Sequence, residues 1–238
     1  MTQDREKVVG IIGGMGPEAT VDLMQRIIRL TPAMDDKDHI RCIVDNNPKV
    51  PSRIKAILEG DGEDPGPVMA DMGRRLEAWG ADFLVIPCNT AHYYHDAVQQ
   101  AVTIPVVNMI DLVVEAVTTN FSREKQIGML ASPAVAITKL YTRRFETSGM
   151  TEVWPDPEHQ DLLFNVIRQV KTGRMSPDLH QQYATVCDHL RDQGVRVAVV
   201  ACTELSVLGG DLPVSTIDAS QVLAEAIVRM VKPPQKTP

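Results

Sequence analysis

Short runs of β-branched and apolar residues alternate along this chain with longer stretches in which apolar side chains recur every three to four positions. The strand candidates are Val8–Ile12, Ile40–Asp45, Phe83–Pro87, Val106–Asn108, Ile127–Ala131, Val197–Ala201 and Val214–Asp218. Several are continuous Val/Ile/Ala runs without polar alternation, as expected of strands covered on both faces. Glu18–Leu30, with Val21, Met24, Ile27 and Ile28, and Val68–Trp79, with Val68, Met72, Leu76 and Trp79, follow helical spacing. Thr90–Val102, Ala134–Thr147, Asp161–Val170, Pro177–Leu190 and Gln221–Val231 read the same way. Such alternation predicts βα units and a parallel sheet. The acidic, turn-rich segment Glu59–Pro67 reads as a surface connection, and the tail Lys232–Pro238 as frayed.

The chain also matches itself. Leu76 and Gly80, with Cys88-Asn89-Thr90 eight residues further on, correspond to Leu190 and Gly194, with Cys202-Thr203 eight residues further on. Ile104-Pro105-Val106 then leads into Ile110-Asp111 and a helix containing Val113, Val114 and Glu115. In the same way Leu212-Pro213-Val214 leads into Ile217-Asp218 and a helix containing Leu223 and Glu225. The 238 residues allow one large α/β domain or two smaller ones, and the repeat favours two similar α/β halves.

Composition narrows the function classes. With 31 acids against 24 bases the net charge is −7, which disfavours nonspecific binding to nucleic acid or to an anionic membrane. No apolar run approaches the length of a membrane span, and Met1–Lys7 is too polar for a signal peptide, so a cytoplasmic protein is expected. A reducing compartment argues against structural disulfides, and no C-x-x-C spacing occurs, so each of the four cysteines needs its own account.

Cys88 and Cys202 each end a strand-like run and open a helical stretch, which places both thiols at the carboxyl edge of a sheet, where α/β folds bind ligands. A lone thiol there is usually packing, but two in matching positions point to chemistry. Cys42 and Cys187 lack this placement and read as packing. Asn89, Thr90 and Thr203 are candidates to cap the following helices or to donate to a substrate carboxylate. Gly14-x-Gly16-x-x-Ala19 follows the first strand and satisfies a relaxed dinucleotide fingerprint, but Pro17 removes an amide donor and Asp45 lies too far on. An anion-friendly turn and a plain tight turn both remain open. The two prolines before Arg53 stiffen its loop and present a fixed guanidinium, whereas Lys171 alone reads as a dipole partner at a helix end. His92, four residues from Cys88, lacks the company of a zinc site and is expected to hydrogen-bond near the thiol. Glu204 is its counterpart near Cys202.

Ile11-Ile-Gly-Gly-Met-Gly-Pro-Glu-Ala-Thr20, Asn46-Asn-Pro-x-x-Pro-x-Arg53, Pro87-Cys-Asn-Thr-Ala-His92 and Ala201-Cys-Thr-Glu204 together resemble the aspartate/glutamate racemase family, in particular its aspartate racemase branch. The resemblance runs from Val8 to Asp218. It implies an α/β fold of two pseudosymmetric, doubly wound parallel-sheet domains with the active site in the cleft between them. Residues 1–103 with 212–238 would form the domain carrying Cys88, and 104–211 the domain carrying Cys202.

The activity implied is cofactor-independent, metal-free interconversion of L- and D-aspartate. Cys88 and Cys202 would be the paired acid and base on opposite faces of the α-carbon. Arg53 and Lys171 match the residues that bind the substrate carboxylates. Asn89, Thr90 and Thr203 match those at its α-carboxylate or α-amino end. The Gly14-Met15-Gly16 loop matches one that lies at the site, with His92 and Glu204 in support. The expected partner is a small acidic amino acid, and a homodimer is expected by resemblance. One turn departs from the pattern: Ser132-Pro133-Ala134-Val135 stands where a Thr/Gly-rich turn is usual, leaving Ser132 as its hydroxyl donor. That leaves aspartate, glutamate and a broader range open as substrates. A related cysteine-dependent isomerase or decarboxylase of a small dicarboxylic acid, or a dicarboxylate-binding protein on the same scaffold, are the alternatives.

Overall fold

A computed structural model describes residues 5–60, 62–174, 176–208 and 210–233. The start of the N-terminal segment and the tail beyond residue 233 lie outside the described residues. The first half runs β1 (Val9–Gly13), α1 (Pro17–Leu30), β2 (Cys42–Asn46), α2 (Gly66–Ala78), β3 (Phe83–Val85), α3 (His95–Ala101) and α4 (Met109–Asn120). Its strands are parallel in the order β2-β1-β3, and Val106 extends the sheet by a parallel bridge to Leu84.

The second half runs β4 (Gln126–Leu130), α5 (Pro133–Thr138), α6 (Thr142–Thr147), β5 (Thr151–Val153), α7 (Pro157–Lys171), α8 (Leu179–Asp192), β6 (Val197–Val200), α9 (Thr203–Leu208), β7 (Ser215–Asp218) and α10 (Ala219–Val231). Its parallel order is β5-β4-β6-β7. The two sheets share one plan, with β1, β2, β3 and Val106 answering to β4, β5, β6 and β7. In each, the first strand lies between the second and third, so successive connections leave it on opposite sides. A crevice opens at the carboxyl ends of β1 and β3 in one sheet and of β4 and β6 in the other.

Alternate strand residues serve different cores, as the two-residue period of a strand requires. Val9, Ile11, Phe83 and Val85 join Met129, Val197 and Val199 in a central core shared by both sheets and completed by α1, α4 and α10. Ile12, Leu84 and Ile86 face the outer core under α2, while Ala198 and Val200 face the other outer core under α7 and α8. This double cover explains why the strands read as unbroken apolar runs.

Several expectations need correction. Val106 pairs in the first sheet and β7 in the second, so 104–106 and 212–218 sit with the opposite sheets from those the division at 103 and 212 implied. In α1 the buried face is Ala19, Thr20, Leu23 and Ile27, the positions that fall on one side of the helix at three- and four-residue spacing, while Val21 and Ile28 fall on the opposite side and are exposed. Trp79 closes α2 and is also exposed. The expected helix 134–147 is two helices, broken where Lys139 adopts a left-handed φ of 51°. The break lets Tyr141 turn inward to full burial. β5 was not anticipated, since Thr151-Glu152-Val153 is a short, half-polar edge strand. No helix among the described residues is long and apolar enough to cross a membrane.

Candidate active site

The carboxyl ends of both sheets open onto one cavity of roughly 240 Å³. That is below the roughly 300–1,000 Å³ usual for drug-sized ligands and suits a small metabolite. Cys88 and Cys202 are both on its wall and each is 8% exposed. Cys88 follows β3, and Cys202 follows β6 directly before α9, so the sheet pseudosymmetry brings the two thiols to a common space.

Gly14 builds the turn after β1. Its φ is +88°, and a Cβ there would meet the backbone carbon of Asn47 at 2.3 Å, so only glycine lets this turn lie against the loop leaving β2. The Gly14 amide donates to Thr20 Oγ1 at 2.9 Å, and that hydroxyl donates on to Gly16 O at 3.3 Å. The Gly14 amide is thereby withheld from any anion, and the segment packs as a tight βα turn. It delivers Met15, 2% exposed, to the cavity wall.

Arg53 is on the wall and only 7% exposed. Its Nη1 donates to Val50 O at 3.3 Å and Pro51 O at 3.0 Å, while its Nε is buried without a partner. No carboxylate among the described residues pairs with it. A buried guanidinium without a counter-ion is costly, and an anion in the cavity would relieve that cost. Lys171, at the end of α7, is exposed and lines the mouth. The sequence reading missed four polar wall residues, Ser52, Lys55, Glu59 and Arg168, and three apolar ones, Ile54, Phe164 and Ile167. Arg168 precedes Lys171 by one helical turn, a spacing that could have revealed it. Its guanidinium carbon lies 4.5 Å from the centre of the Phe164 ring. Glu59 belongs to the segment expected to be a mere surface connection. It closes a wide helical turn, Lys55–Glu59, that carries Lys55 and Glu59 to the mouth.

Beside Cys88, Thr90 Oγ1 and Ser132 Oγ lie 3.3 Å apart and pair hydroxyls from the two halves, both on the wall. Asn89 is 2% exposed and accepts a 2.5 Å hydrogen bond from Tyr141 Oη, leaving its Nδ2 buried and unpartnered. Asn89 and Thr203 are buried next to the thiols but do not themselves form the wall.

His92 hydrogen-bonds to backbone beside the thiol and not to its sulfur. Its Nδ1 meets Cys88 O at 2.8 Å and its Nε2 accepts from the Met109 amide at 3.0 Å. The Met109 bond requires a lone pair on Nε2, so the proton sits on Nδ1 and is donated to the carbonyl. Neither nitrogen is left for the thiol or for a metal. Burial lowers the pKa of this histidine to about 4. His92 therefore staples the Cys88 backbone to the start of α4.

Cys202 Sγ donates to Glu204 Oε2 at 3.2 Å, and Glu204 is itself only 7% exposed and on the wall. Burial, and then the charge of Glu204, push the Cys202 thiol well above its ordinary range. Cys42 and Cys187 lie away from the cavity, and burial raises them to about 11 and about 12.

The description Asp/Glu/Hydantoin racemase fits residues 12–227. The chain belongs to this racemase family. It is 23% identical over 229 residues to the broad specificity amino-acid racemase RacX of Bacillus subtilis, covering 93% of this chain and 96% of the relative. The Picrophilus torridus aspartate racemase superposes with a TM-score of 0.82 at 30% identity, covering 94% of each chain. Glutamate racemase RacE1 of Bacillus anthracis superposes at 0.67 with 19% identity over 95% of this chain and 81% of that one, a likeness of fold alone.

Proposed function

We propose that this member of the racemase family is a cofactor-independent aspartate racemase in which Cys88 and Cys202 exchange acid and base roles. One observation carries the reading: two thiols at pseudosymmetric strand ends share one small cavity with a buried arginine that no carboxylate among the described residues pairs with. The likeness to the Picrophilus torridus aspartate racemase supports aspartate as the substrate.

In this mechanism Arg53 takes one substrate carboxylate, with Lys171 and Arg168 attracting the other at the mouth. The Thr90 and Ser132 hydroxyls on the wall serve the α-carboxylate and α-amino end, with Asn89 and Thr203 buried behind them beside the thiols. One thiolate removes the α-proton, the electron pair delocalises into the cation-held α-carboxylate, and the opposite thiol protonates the other face. The resting form has Cys202 as the S–H donor, since burial and Glu204 disfavour its thiolate. When Cys202 must act as base, its proton passes to the Glu204 carboxylate along their hydrogen bond.

A second reading, a broad-specificity amino-acid racemase, is favoured by Phe164 and Ile167 on the wall and by the likeness to RacX. A chiral assay of both enantiomers of each protein amino acid, without added pyridoxal phosphate, separates the two. The aspartate reading requires aspartate to be turned over in preference to the rest. Comparable rates on neutral amino acids would establish the second reading instead.

A further inference from the structure

Away from the cavity, one largely buried charge joins three elements. Arg26 lies on α1 with its side chain 13% exposed. Its Nε pairs with Asp22 Oδ2 at 2.6 Å, one turn back on the same helix. Its Nη1 reaches Asp218 Oδ2 at 3.1 Å and Gln221 Oε1 at 3.0 Å, and its Nη2 donates to the backbone carbonyl of Ser206 at 3.1 Å. The circuit closes on itself, because Ser206 Oγ donates to Asp218 Oδ1 at 2.7 Å and the same carboxylate caps α10 through the Ser220 and Gln221 amides.

Two of the joined elements, α9 and α1, bear on the site. Ser206 lies on α9, a helix of six residues that starts directly after Cys202 and carries Glu204. So short a helix has little stability of its own, and the Ser206 carbonyl belongs to its last turn, whose carbonyls have no acceptor role inside the helix Thr203–Leu208. Arg26 supplies that carbonyl with a charged donor. α1, which carries Arg26, starts directly after the Met15-Gly16 turn. At this end too the elements are close, since a Cβ on Gly16 would lie 3.7 Å from Glu204 Oε1. Thus α1 and α9 touch at the site and are bolted together by Arg26 further along.

We propose that Arg26 is a positioning residue: it sets α9, and with it Cys202 and Glu204, against the β1–α1 turn on the other side of the cavity. The inference rests on the reading of Cys202 as a reacting group. Lysine cannot reproduce the role in full, because one ammonium does not match the three directions in which the planar guanidinium donates.

The test uses the full chain with Arg26→Met and Arg26→Lys. Three things are measured: kcat and KM for aspartate, the melting temperature, and the separate rates at which Cys88 and Cys202 react with iodoacetamide, read by peptide mass spectrometry. Misplacing a reacting group by a fraction of an ångström is expected to lower kcat about tenfold in Arg26→Met while KM stays within about twofold. The Cys202 alkylation rate should change relative to that of Cys88, and Arg26→Lys should recover part of both effects. Unchanged kcat in the folded variant, or equal changes at both thiols, overturns the proposal. If Arg26→Met does not fold, the same readouts on Arg26→Lys decide. If the unsubstituted protein racemises nothing, the proposed function fails, yet the ratio of the two alkylation rates still reports whether Arg26 places Cys202.

Discussion

The Cys202 thiol donates to Glu204 over 3.2 Å, while the residue in the matching position beside Cys88 is Thr90, which pairs with Ser132. A pseudosymmetric fold thus carries an asymmetric pair of thiols, one against a buried carboxylate and one beside hydroxyls. Two mirror-related half-reactions need not be served by identical groups, because the proton exchanged at each face has a different acceptor behind it.

Replacing Glu204 with glutamine removes the charge that helps to raise the Cys202 pKa while burial continues to raise it. The Cys202 thiolate should then form at lower pH, so its alkylation at mildly alkaline pH should be faster than in the unsubstituted protein. Racemisation should nonetheless fall by about 10²-fold, the lower end of what a positioned proton acceptor contributes. A variant with faster alkylation and unimpaired turnover would remove Glu204 from the mechanism.

Arg53→Met should have opposite effects on binding and folding. Loss of the buried guanidinium should raise KM for aspartate at least tenfold, since a charged, directional partner for a carboxylate is gone. Without ligand the same change should leave the melting temperature unchanged or higher, because a buried charge with no carboxylate partner among the described residues is replaced by an apolar chain. Aspartate should raise the melting temperature of the unsubstituted protein and not of Arg53→Met. Thermal shift with and without aspartate measures both.

Arg168→Ala and Lys171→Ala should be milder. Both side chains are exposed at the mouth, where solvent screens their charge, so KM should rise only a few-fold for each, and more in low salt than in high. Steady-state kinetics at two ionic strengths test this.

His92 sets an acid limit on stability. Its folded pKa is lowered from 6.5 to about 4, so the unfolded chain takes up a proton over this interval that the folded one refuses. The contribution is full above pH 6.5 and is lost as pH falls towards about 4, a loss of about 3 kcal/mol. Denaturant unfolding at pH 7 and pH 4.5 should show it, with a shallower acid slope for His92→Phe. The raised Cys42 and Cys187 act at the other end, where stability should fall as pH rises from 9 towards about 11 and 12.

Much of this was legible from local pattern. The Val/Ile runs marked β1, β3, β4 and β6 because strands covered on both faces have no polar side to hide them, while the partly exposed β2 and β7 were marked by shorter apolar stretches. Cys88 and Cys202 stood out through the repeat, and Arg53 through its prolines. What escaped depended on tertiary contacts. Whether His92 pointed at the thiol or at backbone was decided by the amide of Met109, which no spacing reveals. Glu59 and Lys55 reach the cavity because of a wide turn that leaves no periodic mark, and Tyr141 finds Asn89 only because Lys139 breaks the helix before it. The outward-facing Val21 and Ile28 show that apolar spacing locates a helix more surely than it identifies the buried face.

The central claim is that Cys88 and Cys202 act on opposite faces of one α-carbon. Its most direct test is α-proton exchange in D₂O with each enantiomer of aspartate, using Cys88→Ala and Cys202→Ala and following exchange by NMR and inversion by chiral chromatography. Both variants should lose racemisation. Any exchange that survives should occur without inversion, on one enantiomer for Cys88→Ala and on the other for Cys202→Ala. Racemisation at the unsubstituted rate in either variant, or residual exchange of the same enantiomer in both, would contradict the account.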